Sequence, residues 1–375
     1  MIEAITQTEA RKLFIHGQAL NKTTHSAYDV LLNLGYVQID TISVVERSHH
    51  HVFWSRFPKY KKSDLEGLIN SRKAFEYWAH AAAYLPMKDY RYSLFLKERF
   101  KNIDGSSWWP RDKKVMKHVL KRIQQEGPLL SRDFKQESSK KNGWWDWKPA
   151  KKALERLFME GELEITRREG FQKVFDLSRR VIPKNISLKV PSKEEYCRYM
   201  IDRTLKHHTF ASELEMSYLH KSDLKKIVNK EVKNLVEDKK LVELNISGLD
   251  NTYYIYIENL ELKPKITSRL QILSPFDNMV IQRKKLLDIF NFDYQIECYV
   301  PAKKRKYGYF TLPVLVDQKF IARIDCKVNR KDKSLVVISY NWEKIEYKLK
   351  YLEKLKSKIN SFSRFNGCNE VIYPS

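Results

Sequence analysis

Three times in succession the chain runs through helical periodicity and then into two short alternating strands joined by a turn. That order constrains the fold more than any other feature, because each ribbon can bury its apolar face only against the helices beside it. The first copy spans about residues 5–90. Thr6 and Glu9 stand at capping-box spacing and open TEARKLFIHGQAL. SAYDVLLNLG is a second helix, with Gly35 at its C′ position. A strand YVQID follows, and Ser43 with Glu46 predicts another capping box, opening VVERSHHHVFWSRF. SDLEGLIN is a short helix, and AFEYWAHAAAYLP reads as a hairpin.

The second copy covers about residues 110–182. RDKKVMKHVLKRIQQEG is a helix ended by Gly127, SRDF begins a short one, and KPAKKALERLFMEG runs from Pro149 to Gly161. ELEITRREGFQKVFDL is then a hairpin with a charged turn. The third copy, about 190–260, has helices in EEYCRYMIDRTLKHH and TFASELEMSYLH. DLKKIVNKEVKNLVEDKK puts Leu224, Val228, Val232 and Leu235 on one face, and LVELNISGLDNTYYIYI is the closing ribbon. Helices followed by a two-stranded wing are the order of a winged helix. From about Ile266 the texture becomes strand-rich, and the basic helix WEKIEYKLKYLEKLKSKINSF closes the chain. The expected class is α+β, with three tandem winged-helix domains (1–100, 101–188, 189–262) and a small C-terminal antiparallel β-barrel-like domain (263–375).

Charge narrows the partners. Seventy Lys+Arg against 46 Asp+Glu leaves a net +24, which attracts polyanions, nucleic acid first among them. No apolar run approaches the roughly 18 residues of a membrane span, so no membrane is expected. Cys197, Cys298, Cys326 and Cys368 are scattered without zinc spacing, which points to a reducing cytoplasmic setting and no structural metal. No nucleotide- or metal-binding motif occurs, so no cofactor is expected.

The third helix of two copies carries a basic stripe opposite its apolar one: Lys148, Lys152 and Arg156 in the second, Lys226, Lys230 and Lys233 in the third. Arg167 and Arg168 extend the second set into the wing. The functional reading is contact with phosphates, and an ordinary solvated face explains each stripe equally well. Their poverty in Asn and Gln favours backbone positioning over base reading. KKRKYGY, with Lys303, Lys304, Arg305 and Lys306, interleaves basic and aromatic residues. It suits an unpaired strand and is equally an exposed turn. His49, His50 and His51 are consecutive, so on a helix they diverge by about 100° each and cannot converge on one metal ion.

Within YVQID, Gln38 and Asp40 share one strand face, roughly 6–7 Å apart. A solvated edge strand is one reading. Yet an Asp beside a phosphate backbone is repelled, so it is either turned away from DNA or present for chemistry. One carboxylate suits hydrolysis of an N-glycosidic bond whose base is already a good leaving group. A purine alkylated at N7 is cationic and leaves without an acid. The carboxylate need only stabilise the positive sugar and activate water, and an amide can orient that water. O-glycosidases need two carboxylates because their leaving group must be protonated.

GYVQIDTISVVERSHHHVFWSRFPKY resembles the signature of the YcaQ/AlkZ family of winged-helix DNA glycosylases, the crosslink-repair group. EYWAHAAAYLP, KPAKKALERLFMEGELEI, LSPFDNMVIQRKKL and FDYQIECYVPAKKRKYGYFTLPVL resemble further blocks of that family, in order along the chain. The resemblance implies three winged helices plus a C-terminal barrel. It also implies monofunctional excision of N7-alkylated purines, including unhooking of interstrand crosslinks. Gln38-Ile39-Asp40 matches the branch with a Gln-apolar-Asp motif, so Asp40 would polarise water or stabilise the oxocarbenium and Gln38 would position the water. His49, His50, Asp277 and Arg283 lie in matching blocks and are the candidate lesion contacts. The expected partner is double-stranded DNA carrying alkylated or crosslinked purines, met as a monomer. The alternative is a non-enzymatic winged-helix regulator, which would bind a defined site as a dimer on a palindrome.

Overall fold

The computed structural model describes residues 2–102, 111–137, 149–346 and 348–374. They form two compact units: residues 62–199, and residues 1–61 together with 200–375.

In the split unit, the helix Gln7–Gly17 opens on the expected box, with the Thr6 hydroxyl accepting from Glu9 N–H and the Glu9 carboxylate accepting from Thr6 N–H. Ala27–Leu34 follows and is closed by Gly35 at φ 71, the left-handed geometry that glycine adopts without strain. The segment Ile2–Ile5 adds itself parallel to Leu241–Ile246, pairing Ile2 with Glu243 and Ile5 with Ile246. Leu241–Ile246 also pairs antiparallel with Tyr253–Tyr256, the expected third ribbon. Ser222–Glu237 buries Leu224, Val228, Val232 and Leu235, as its periodicity predicts. Each such side chain contributes about 1.5–3 kcal/mol on burial. Phe14, Phe210, Leu244, Tyr253, Met279, Phe290 and Phe320 join one apolar core, so the N-terminal helix, the third ribbon and the C-terminal segment fold as one body.

The C-terminal sheet runs in the order Leu270–Ile272, Leu312–Val316, Lys319–Asn329, Ser334–Trp342, Glu370–Ile372. Its first four strands are antiparallel. Its last strand pairs parallel, so the sheet is mixed where an all-antiparallel one was expected. Bulges at Val314/Leu315 and Asp325/Cys326 bend it. The helix Lys348–Phe365 lays Leu355, Ile359 and Phe362 into the core.

In the unit 62–199, Ala74–Trp78 and Ala82–Pro86 form the first hairpin. Leu163–Glu169 and Gln172–Leu177 form the second, and Leu129–Leu130 extends it. Lys113–Glu126 ends at Gly127, and Pro149–Glu160 ends ahead of Gly161 at φ 80. Beside them lies Tyr90–Lys101, a helix that the periodicity did not disclose. Its Lys97 is buried on the carboxylate of Glu164, which also accepts the Tyr90 hydroxyl at 2.7 Å. A second unexpected helix, Arg283–Phe290, stands in the C-terminal segment of the other unit.

Candidate functional site

The helix Ala27–Leu34 stops at Gly35 and hands the chain to a two-residue strand, Val37–Gln38. Val37 and Ile39 point into the core, and Gln38 is itself only 8% exposed, so this is no solvated edge. Asp40 is half-buried just beyond the strand. Its Oδ1 accepts the N–H of Ile42 at 2.7 Å in a tight local turn, which fixes the carboxylate. Burial raises the Asp40 pKa, and the Ile42 bond opposes that only in part.

The capping box expected at Ser43 and Glu46 does not form. The helix starts later, at Ser48, behind Arg47, which makes no side-chain cap. The intervening segment is engaged by the C-terminal part of the chain instead. Val328 N–H donates to Val44 O at 2.9 Å, the Arg330 guanidinium donates to Ser43 O at 2.7 Å, and Glu46 N–H donates to Asn366 Oδ1 at 2.6 Å. Asn278 Nδ2 donates to Tyr36 O at 3.0 Å on the other side of the motif.

The loop Glu297 to Gly308, which carries the basic run Lys303 to Lys306, lies within electrostatic reach of Asp40. The charge of Asp40, after burial, contributes to raising the Cys298 thiol. The Glu297 carboxylate accepts three N–H bonds, from Lys306 (2.8 Å), Tyr307 (2.8 Å) and Gly308 (3.0 Å). Burial works to raise the Glu297 pKa, but these three bonds prevail and hold it below the usual value. Gly308 sits at φ 137, and a Cβ there would meet Asp325 Oδ2 at 2.1 Å. Gly308→Ala is therefore expected to cost about 1–3 kcal/mol in a urea unfolding experiment.

The three histidines diverge along Ser48–Arg56, as their spacing requires. His50 Nδ1 lies 2.6 Å from the Tyr60 hydroxyl, and His49 is buried with its ring 4.3 Å from that of His50. His51 faces the opposite way, Nε2 at 2.9 Å from Ile272 O, and burial pushes its pKa down to about 4.

Asp277 is a correction. It is wholly buried in a two-bond ion pair with Arg56, both at 2.8 Å, and also accepts Met279 N–H. Both oxygens are spent inside the core, so it is no lesion contact. Arg283 is half-buried, over the Tyr294 ring at 5.3 Å. It lines an open cavity of about 600 Å³ with Glu213, Tyr218 and Lys225. Gln38 and Asp40 are not among the walls of that cavity.

The basic residues divide. Lys226, Lys230 and Lys233 are exposed on one helix, and Lys303, Lys304 and Lys306 are exposed on the Glu297–Gly308 loop. Arg305 is half-buried, its Nε donating to Val300 O at 2.9 Å. Lys152 is half-buried, and Lys148 lies outside the described residues. Arg167 stays on the surface, paired with Glu169 at 2.7 Å. Arg156 and Arg168 are corrections. Arg156 is 0% exposed, bound to Glu160 at 2.6 Å, with its guanidinium 4.6 Å from the Phe100 ring centre. Its helix is covered on that side by the unforeseen Tyr90–Lys101. Arg168 pairs with the buried Glu76, Nε to Oε2 at 2.8 Å. A register shift between Ile165 and Arg167 turns the strand there, and one residue of slip exchanges its faces.

Among the described residues no group of three or more His, Cys, Asp or Glu is placed to hold a metal ion, and no helix is long and apolar enough to cross a membrane. A sequence model of the AlkZ-like family, described as DNA glycosylase AlkZ-like, matches residues 31–353. The chain is similar in structure to the Streptomyces sahachiroi DNA glycosylase AlkZ, with a TM-score of 0.66, 17% identity, and 99% of each chain covered.

Proposed function

This chain belongs to the AlkZ-like DNA glycosylase family, and from that premise we propose that it is a monofunctional enzyme hydrolysing the N-glycosidic bond of N7-alkylated purines, crosslinked ones included. As a DNA glycosylase it acts on DNA, which displaces the regulator alternative. The observation that supports the specific chemistry is Asp40 itself: a half-buried carboxylate, pinned through one oxygen, with a raised pKa and the buried amide of Gln38 two residues away.

In this reading the C1′–N9 bond breaks with its electron pair leaving on the cationic base, which becomes neutral. The sugar becomes an oxocarbenium, stabilised by the Asp40 carboxylate. Water held by Gln38 adds to C1′ and gives its proton to Asp40. The products are a free base and an abasic site. No lysine stands in Gln38-Ile39-Asp40, so strand cleavage through a Schiff base is not expected. A crosslinked guanine is tethered to the opposite strand, so it cannot be fully flipped and calls for an open binding surface.

The proposed organisation is three tandem winged helices followed by the curled C-terminal sheet, working as a cytoplasmic monomer. His50 and Arg283 are the proposed lesion contacts, while His49, at 2% exposure, is left beneath the surface. Lys226, Lys230 and Lys233, with the lysines at 303, 304 and 306 and Arg305, Arg167 and Lys152, are the proposed phosphate contacts. The test is chromatography of the bases released from methylated and nitrogen-mustard-treated duplex DNA: 7-alkylguanine is expected, and its absence from both substrates counts against the reading. Changing Lys226, Lys230 and Lys233 to Ser is expected to flatten the slope of log affinity against log salt by about 0.9 for each phosphate no longer neutralised, measured by anisotropy. An unchanged slope removes that helix from the interface.

A further inference from the structure

The turn Glu297–Val300 is closed by Val300 N–H donating to Glu297 O at 2.9 Å, with Cys298 and Tyr299 at its two corners. Tyr299 is 79% exposed, the most exposed aromatic among the described residues. Nothing about the loop is slack. The Glu297 side chain gathers three N–H groups from its far end, Arg305 ties back to Val300, and Lys304 N–H donates to Pro301 O at 2.8 Å. The hydrogen-bonded loop thus holds a large flat ring out where a partner can reach it.

The ring is also in a defined place. The loop hangs on the strand Lys319–Asn329, where Tyr309 N–H donates to Asp325 Oδ2 at 3.3 Å. Three residues further along that strand, Val328 N–H holds Val44 O, which follows Asp40 by four residues. The Tyr299 phenol is raised in pKa, by partial desolvation first and then by the charges of Cys298 and Asp40. The same loop carries the exposed side chains of Lys303, Lys304 and Lys306, and Arg305 lies 4.9 Å from the Tyr309 ring centre. An exposed ring on a loop that also carries basic side chains suits one class of ligand, a nucleic-acid strand whose phosphates meet the cations while a base meets the ring.

We propose that Tyr299 stacks on a DNA base at the lesion, propping open the base step from which the damaged nucleotide is presented to Asp40. This rests on the reading of Asp40 as the catalytic carboxylate. The experiment uses the full chain and a duplex carrying a tetrahydrofuran abasic analogue beside 2-aminopurine. Wild type and Tyr299→Phe should change the 2-aminopurine fluorescence alike and release 7-methylguanine from methylated DNA at similar rates. Tyr299→Ala should lose the fluorescence change, bind the duplex about tenfold more weakly, and slow base release, the scale of one base–aromatic stack removed. Thermal melting of the exposed-site variants should match wild type. The proposal is overturned if Tyr299→Ala equals wild type in fluorescence and affinity, or if Tyr299→Phe loses as much as Tyr299→Ala, which would assign the effect to the hydroxyl. Asp40→Asn separates the two readings: it should keep the fluorescence change while losing base release, and full release by that variant would remove Asp40 from the chemistry without touching the result for the ring.

Discussion

Asp40→Asn is expected to release 7-methylguanine from alkylated DNA about 10²-fold more slowly than wild type or worse, the scale of a general-base contribution. The substitution keeps shape and keeps an oxygen to accept the Ile42 N–H, so the loss reports chemistry and not collapse. The pH profile should carry the same signature. Burial raises the Asp40 pKa, and the base form is the active one, so the rate falls as pH drops through a value above that of an ordinary carboxylate. Stability runs in the opposite sense. A carboxyl whose folded pKa is raised contributes stability below its unfolded value and loses it as pH rises through the folded one. At neutral pH the charged Asp40 is a burden, so Asp40→Asn should melt at or above the wild-type temperature. Equal rates of base release for the two proteins would remove Asp40 from the mechanism.

Asp277→Ala is expected to destabilise the fold by about 3–5 kcal/mol in urea denaturation, because it strands the Arg56 guanidinium in a dry interior. Arg56 is anchored elsewhere too, with Nε donating to Gln18 O at 2.8 Å and Nη1 to Ser55 Oγ at 3.0 Å, so it cannot swing out to water cheaply. Replacing both partners, Arg56→Met with Asp277→Leu, should recover most of the loss, since apolar groups of similar volume remove the unpaired charge. The pair therefore distinguishes its structural task from lesion recognition. A role in touching the lesion predicts lost excision at unchanged stability, the reverse of what the geometry leads us to expect.

Much of the secondary structure was legible because its signals are local. The Thr6/Glu9 box, the stop at Gly35 and the apolar stripe Leu224, Val228, Val232 and Leu235 each act within a few residues, and each forms as read. Misreadings arose where distant chain intervened. Ser43 and Glu46 have capping spacing, but Val44 and Glu46 bond to Val328 and Asn366 instead, and a tertiary bond there outcompetes a local cap. Arg156 sits at the spacing of an exposed stripe, yet a helix that the periodicity did not disclose covers it. Ile2–Ile5 finds its partner strand some 240 residues later, a pairing that no periodicity encodes.

At the candidate site the same division holds. The residues Gln38 and Asp40, their order and the basic character of the chain are properties of the sequence alone, as is the family to which it belongs. Only the folded chain decides that Gln38 is buried, that Asp40 is pinned and raised in pKa, and that Tyr299 is left exposed on its loop. Residue types and short spacings fix what chemistry is available. Dielectric and approach depend on which distant segments pack together, here residues 36–46 against 278, 328–330 and 366, and that is a property of the whole apolar core.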